Sequence, residues 1–172
     1  MIKIAGAEGN IQNVDSFLKK IESFEKDHKL VIQVFNADLI FGEKHIISAV
    51  EHAVRAVKRK TNTTKSLGME ILLYASGDRQ LKLAIPKMGV IKGKNGVAFV
   101  LVNKIGDDTE ISNNLINKLL EKLSLKRNDE VLEGNRDTLK KFGINDEEID
   151  TVTKDKYGNL ILEKVAMVDI IK

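Results

Sequence analysis

The segment from Leu67 to Ala75 is apolar on nearly every face that a helix could present. It reads LGMEILLYA, and Glu70 is its only charged residue. A helix of this kind has to be covered on all sides, either by the core of its own domain or by a bound partner. The sequence leaves both alternatives open. Because an unpaired buried charge is costly, Glu70 is predicted to have a basic or backbone partner.

The segments available to cover this helix are short strands and amphipathic helices. Apolar and β-branched runs predict strands at 2–5, 30–35 and 97–102. Apolar residues spaced three and four apart predict further helices at 14–24, 43–60, 79–88, 115–123 and 139–142. Together they predict one α+β domain over residues 1–172, with a small, largely antiparallel sheet packed with several helices.

Glycines and polar clusters predict the breaks between these elements. Gly6 and Gly9 indicate a turn after the first strand, and residues 93–96 indicate a tight turn before the third. Polar residues over 124–136 predict a loop. The run Tyr157-Gly158-Asn159 predicts a turn before a final apolar segment, 160–171, which has no clear period.

The helix over 79–88 carries two local signals. Asp78 stands where a cap would begin the helix at Arg79. Pro86 is expected to kink or shorten this helix, because proline lacks a backbone donor and crowds the preceding turn.

Positive charge is concentrated in the middle of the chain. The net charge of the whole chain is +3, yet residues 43–94 hold 11 Lys and Arg against 4 Asp and Glu. Basic residues flank the break after the helix at 43–60 and recur two segments later: Lys58, Arg59, Lys60, Lys65, Arg79, Lys82 and Lys87. If a helical hairpin brings them together, they form one patch suited to phosphates. A solvated, lysine-rich helix face is the alternative.

No group of residues assembles a recognisable active site. The chain has no Cys, which excludes a thiol nucleophile, a disulfide framework and Cys-ligated zinc. His45 and His52 lie seven residues apart on one predicted helix, about 10 Å, which makes them a poor zinc pair. No serine elbow, dinucleotide loop or phosphate loop is present. We therefore predict no enzyme activity, no metal and no cofactor.

The N-terminal sequence lacks the basic region and apolar run of a signal peptide, and no apolar stretch reaches membrane-spanning length. These absences predict a cytoplasmic protein.

Three runs of sequence carry a resemblance to a known family: HIISAVEHAVRA (45–56), SLGMEILLYASGDRQLKLAIPKMGV (66–90) and VAFVLV (97–102). They resemble the TPRKB-like accessory subunits of the KEOPS tRNA-modification complex, in their archaeal form. The positions that match the family pattern are Glu70, Tyr74, Arg79, Gln80 and Gly89, and LEKVAMVDI (162–170) resembles its closing segment. Pro86 and the long polar segment 124–136 depart from the pattern.

This resemblance implies a subunit without activity of its own. Such subunits bind and support an atypical kinase/ATPase, which in turn contacts the threonylcarbamoyl-transferring subunit. In archaea they also bind the acceptor end of tRNA. The whole complex modifies the adenosine next to the anticodon.

Two candidate sites follow from these features. From the charge asymmetry, tRNA phosphate contact is assigned to Lys58, Arg59, Lys60, Lys65, Arg79 and Lys82. From the surplus of apolar surface on the helical hairpin, kinase contact is assigned to Ile71, Ala75, Leu81, Ile85 and Met88. A purely structural scaffold that binds no tRNA is one alternative. A small-ligand enzyme with a deep pocket lined by Glu70 and His52 is the other.

Overall fold

The computed structural model, which describes residues 1–172, is organised around one strand that is buried on both faces. This strand, β3 (Gly93–Asn103), has only buried residues from Val97 onward. Its odd-numbered residues from 97 to 101 face one apolar core, and its even-numbered residues from 98 to 102 face another. A strand between two cores has to be apolar on both sides, which explains why VAFVLV shows no alternation.

Three further strands complete an antiparallel sheet in the order β2-β3-β1-β4. β1 (Ile2–Ile11) pairs with β3 along its whole length, β2 (Leu30–Asn36) pairs with the second half of β3, and β4 (Lys126–Arg127) pairs with β1. The largely antiparallel sheet is confirmed, and the short fourth strand is an addition to the prediction.

Eight helices cover the two faces of this sheet. One face carries α1 (Val14–His28) and α5 (Asn113–Lys122), which enclose a core of 18 buried residues. The other face carries a larger core of 27 buried residues and six helices. These are α2 (Gly42–Arg59), α3 (Leu67–Ser76), α4 (Leu81–Met88), α6 (Arg136–Phe142), α7 (Asp146–Ile149) and α8 (Tyr157–Ile171). The predicted α+β domain is confirmed. None of the helices has the combined length and hydropathy that crossing a membrane requires.

The apolar segment at 67–75 forms α3, which belongs to the larger core. Eight of its ten residues are buried, including Glu70. α2 and α3 pack as an antiparallel hairpin, and His45 near the start of α2 lies 2.8 Å from the carbonyl oxygen of Ala75 near the end of α3. Of the two alternatives that the sequence left open, burial within the domain is therefore the one observed.

The turns predicted at Gly6, Gly9 and residues 93–96 are wrong, because these residues lie inside β1 and β3. A side chain at Gly6 would place its Cβ 2.5 Å from the carbonyl oxygen of Asn128, and one at Gly9 would lie 2.6 Å from the Leu125 side chain. These glycines allow another segment to lie directly against the sheet, where a larger residue would collide.

That segment is part of the polar stretch at 124–136, which is more ordered than the predicted loop. It forms β4 and then a 3-10 turn at Asp129–Leu132. The Asp129 carboxylate accepts the Gly6 N–H at 2.8 Å and the Arg127 Nε–H at 2.7 Å. The polar side chains of this segment thus form hydrogen bonds with the backbone and with one another. Hydropathy alone does not distinguish such side chains from those that are simply exposed to water.

Two helix boundaries also differ from the prediction. α4 begins at Leu81 after Gln80, and Asp78 does not cap it: the Asp78 N–H instead donates to the Ser76 hydroxyl at 3.1 Å. Pro86 lies in the last turn of α4, which ends two residues later. The turn predicted at residues 157–159 is wrong, since these residues form the first turn of α8.

The contact between Gly6 and the crossing segment generates a stability prediction. Gly6→Ala should lower the free energy of unfolding by about 2 kcal/mol, because the new methyl group forces residues 128–131 away from β1. Chemical denaturation measures the change. Gly158→Ala is the matched control: its methyl group meets Phe41 at an ordinary 3.5 Å within a helix, so stability should stay equal or rise. Equal losses in the two variants would contradict the close approach.

The buried imidazole of His45 makes folding dependent on pH. Its Nδ1 accepts the Phe41 N–H at 3.1 Å, so the neutral ring carries its proton on Nε2 and donates it to Ala75. Burial lowers the pKa of His45 from 6.5 to about 4. Between these values the unfolded chain binds more protons than the folded chain, so stability is complete above pH 6.5 and falls as the pH drops toward 4.

The loss associated with His45 should approach about 3 kcal/mol across this window. Urea unfolding at pH 7 and at pH 4 measures it. His45→Gln should be less stable at pH 7 but should lose less stability on acidification. His28→Gln, at an exposed position, should follow the wild-type profile. An unchanged pH dependence in His45→Gln would show that another group is responsible.

Candidate functional site

Four basic side chains surround the point where α2 ends and α3 begins. Lys58, Arg59, Lys60 and Lys65, which we call the basic tip, are all exposed. None of them forms an ion pair within the chain. Lys60 ends α2 in the left-handed conformation, with φ of 57°, and its N–H bonds the last turn of the helix. The basic tip is therefore a cluster of cations without internal partners.

The loop that carries part of the basic tip, residues 60–66, is held from inside by the carboxylate of Glu70. Oε2 of Glu70 accepts the Thr63 N–H at 3.2 Å and the Thr64 N–H at 3.0 Å, and the Thr64 hydroxyl donates to it at 2.8 Å. Lys172 donates to Oε1 at 2.8 Å. The basic and backbone partners predicted for Glu70 are both confirmed.

Glu70 is ionised in this environment although it is buried completely. Burial pushes the pKa of its carboxyl upward, but the hydrogen bonds from Lys172 and Thr64 outweigh burial and hold the pKa below its usual value. The carboxylate and the ammonium of Lys172 form an ion pair that is almost entirely removed from water.

A second polar cluster joins the end of α8 to the hairpin. The Tyr74 hydroxyl donates to Asp169, and the His52 Nδ1 lies 2.8 Å from the other oxygen of the same carboxylate. Burial pushes the pKa of Asp169 upward, but the bonds from Tyr74 and His52 outweigh it and lower the pKa. Burial and the neighbouring Asp169 raise the pKa of Tyr74. The cluster fixes the end of α8 against α2 and α3.

A cavity of about 490 Å³ lies beside the basic tip, between the second half of α2 and the loop that follows β3. Its apolar wall includes Val54 and Val102. Its charged rim contains four cations, Arg55, Lys58, Arg59 and Lys104, against three carboxylates, Glu51, Asp107 and Asp108. An apolar wall beneath a rim of mixed charge, with one more cation than carboxylate, suits a flat ligand that also carries polar groups.

The pocket required by the enzyme alternative is not formed by this cavity. Neither Glu70 nor His52 lines it. The carboxylate of Glu70 is engaged with the loop and Lys172, and Nδ1 of His52 lies within hydrogen-bond distance of Asp169 and Arg55. No group of three or more potential ligand side chains is arranged to hold a metal ion.

The predicted single basic patch is wrong, because three of its seven members lie elsewhere. One of them is Lys87, whose ammonium donates to the carbonyl oxygen of Ser76, the last residue of α3, at 2.7 Å. Arg79 and Lys82 are exposed, but they follow the C-terminal end of α3, whereas the basic tip surrounds its N-terminal end. The ten residues of α3 separate the two groups by about 15 Å. Because α2 and α3 are antiparallel, the end of α3 that leads to Arg79 lies beside the start of α2. The basic tip lies at the other end of α2.

Three of the five residues assigned to kinase contact are not on the surface. Ile71, Ala75 and Met88 are completely buried in the larger core, because α3 and the end of α4 are covered by the rest of the domain. Leu81 is half-buried and packs against the same core. Ile85 is 47% exposed and remains available to a partner.

The sequence reasoning missed an apolar surface on α8. Met167, Ile170 and Ile171 are exposed, and Ile170 is 74% accessible. Their spacing of three and four residues places them on one side of the helix, while Val165 and Val168 face the core. The sequence did carry a signal for this surface, because segment 160–171 is apolar without a clear period. A helix that is apolar all round can pack one face against the core and still expose another apolar face.

Comparison with known proteins identifies the family to which this chain belongs. The family model described as kinase binding protein CGI-121 matches residues 9–169. The chain is also 32% identical, over 146 residues, to the regulatory protein Cgi121 of the archaeon Methanocaldococcus jannaschii. That alignment covers 83% of this chain and 86% of the relative. On this match, which extends across both cores, the chain belongs to the CGI-121 family of kinase-binding proteins.

Proposed function

We propose that the chain is a non-catalytic subunit of the KEOPS complex. In this role it binds and supports the atypical kinase/ATPase subunit. It also recruits tRNA by its acceptor end for threonylcarbamoyl modification of the adenosine next to the anticodon. Its contact with the threonylcarbamoyl-transferring subunit is indirect, through the kinase. The observation that carries the proposal is the pairing of a cationic tip free of internal partners with exposed apolar stripes in a family of kinase-binding proteins.

The basic tip supports the tRNA half of this proposal. Its four cations make no internal ion pairs, so contact with phosphates replaces only water and counterions and does not break a stabilising bond. No aromatic side chain lies among them, which favours contact with the RNA backbone over base stacking at the tip itself.

The adjoining cavity extends the same interaction to unpaired nucleotides. Arg59 and Lys58 belong both to the basic tip and to the rim of the cavity, so a strand bound along the tip continues into it. The apolar wall formed by Val54 and Val102 accepts the flat face of a base. The acceptor end of tRNA supplies both parts, a phosphate backbone and unpaired bases.

The exposed apolar stripes support the kinase half. On α4 the stripe consists of the exposed Ile85 and the half-buried Leu81, and on α8 it consists of the exposed Met167, Ile170 and Ile171. Single exposed apolar residues are ordinary, but a stripe with helical spacing is typical of a surface that a partner covers. We assign kinase contact to these two stripes.

The tRNA assignment predicts different outcomes for two matched charge reversals. Lys58→Glu with Arg59→Glu should weaken binding of a tRNA transcript by about tenfold or more at physiological salt, because phosphate contacts are replaced by repulsion. The slope of affinity against salt should fall by about two. Arg79→Glu with Lys82→Glu changes the net charge equally, and its effect should be smaller because these residues lie beyond the other end of α3.

Fluorescence anisotropy with the isolated chain measures both variants. Binding within about twofold of wild type in Lys58→Glu with Arg59→Glu would contradict the assignment of the tip. Failure of the wild-type chain to bind tRNA at all would instead favour a scaffold that contacts only protein.

The kinase assignment predicts that a charge placed in either stripe disrupts the complex. Ile85→Glu and Ile170→Glu should each abolish co-purification with the kinase subunit, because a carboxylate would be buried without a partner. Both variants should remain folded, since both positions are exposed. Leu18→Glu is the control, as Leu18 is an exposed apolar residue on α1, across the sheet from α4 and α8.

Loss of binding in only one of the two variants would restrict the interface to that helix. Normal binding in both, with loss in Leu18→Glu, would place the kinase on the opposite face and contradict the assignment.

A further inference from the structure

The ion pair between Glu70 and Lys172 connects the loop of the basic tip to the end of α8. Glu70 stands in the first turn of α3, and its carboxylate accepts hydrogen bonds from Thr63 and Thr64, directly before Lys65. Lys172 reaches it from the residue that follows α8. The two partners are 102 positions apart in sequence, so the contact is a long-range tie and not a local cap.

Each member of this pair depends on the other. The Glu70 side chain is completely buried, and that of Lys172 is only 6% exposed. The Lys172 ammonium also lies 4.7 Å from the centre of the Tyr74 ring, which gives it a second favourable contact. Removing one partner leaves the other as an uncompensated buried charge, which is strongly destabilising locally.

The loop has few other means of holding its conformation. Apart from the bonds to Glu70, residues 61–65 are fixed by short-range contacts, such as the Thr61 N–H to the Ala56 carbonyl oxygen and the Asn62 amide to the Thr64 carbonyl oxygen. These contacts lie within the loop and the last turn of α2. Among the hydrogen bonds of residues 61–65, only those to the Glu70 carboxylate connect the middle of the loop to the core and, through Lys172, to α8.

We propose that Glu70 and Lys172 are positioning residues for polyanion binding at the basic tip. Their ion pair holds loop 60–66 in the conformation in which Lys60 and Lys65 are directed outward beside Lys58 and Arg59. Pre-organised cations bind phosphates more tightly than mobile ones, because less conformational entropy is lost on binding. The inference rests on the proposed function, in which the basic tip contacts tRNA.

Neutralising Glu70 separates this role from simple electrostatics. Glu70→Gln removes one negative charge close to the basic tip, and the net charge of the chain rises from +3 to +4. Through-space attraction alone would therefore strengthen tRNA binding. Positioning predicts the opposite, because the amide of Gln would direct donor hydrogens at the Lys172 ammonium and the loop would lose its charged acceptor.

The experiment compares four proteins in binding to one tRNA transcript at fixed salt: wild type, Glu70→Gln, Lys172→Met and the double variant. Each single variant should bind about fivefold more weakly than wild type. The double variant should recover part of the loss, since no unpaired buried charge remains. Glu70→Gln binding as tightly as wild type, or more tightly, would overturn the proposal.

Amide hydrogen exchange supplies a readout at the loop itself. The Thr63 and Thr64 amides, which donate to Glu70, should exchange faster in Lys172→Met, while the amide of Val100 in the central strand should keep its protection. Unchanged exchange at Thr63 and Thr64 would overturn the proposal. If Glu70→Gln does not fold, Thr64→Val replaces it. This change removes the hydroxyl contacts with Glu70 at 2.8 Å and with the Ser66 carbonyl oxygen at 3.0 Å, and it leaves the net charge constant. Wild-type tRNA affinity in Thr64→Val would then be the contradicting result.

Separate results would contradict tRNA binding by the basic tip and the positioning role of Glu70. If reversal of Lys58 and Arg59 has no effect on tRNA binding, the proposed function of the basic tip is wrong. If that reversal weakens binding and Glu70→Gln does not, the tip binds tRNA and only the positioning role is wrong.

Discussion

Because α3 is apolar on nearly every face, the other elements of the larger core are arranged to cover it on all sides. The sheet lies beneath this helix, and α2, α4 and α8 pack around it. Complete burial leaves no water for Glu70, so the carboxylate takes its partners from the loop before α3 and from the residue after α8. The same burial therefore produces both the larger core and the anchor beneath the cationic surface.

Much of the fold could be predicted because its signals are local. Helical spacing located α1, α2 and α5, and the two-sided apolar run located β3. The glycines of β1 could not be interpreted in this way. A glycine in a turn and a glycine beneath a crossing segment look the same in sequence, and only the approach of residues 124–132 decides between them. Packing between segments that are distant in the chain, such as residues 124–132 against β1, produces no periodic pattern in the sequence of either segment.

The candidate site was predictable in its chemistry but not in its geometry. Charge asymmetry identified Lys58, Arg59, Lys60 and Lys65, all of which are exposed. It also placed Arg79 in the same patch, since a count of charges does not record the direction in which a helix runs. Apolar character likewise identified helices with surplus hydrophobic surface, but it assigned the buried Ile71 to the surface and overlooked Ile170. Which face of an all-apolar helix is covered depends on neighbours that are distant in sequence.

We propose that one small domain holds a kinase and a tRNA at the same time, on surfaces that do not overlap. The most direct test is the mass of the assembly formed when the chain, its kinase subunit and a tRNA transcript are mixed, measured by native mass spectrometry. We expect a ternary complex with one copy of each component. A mixture that contains only binary complexes, in which the kinase and the tRNA displace each other from the chain, would contradict it.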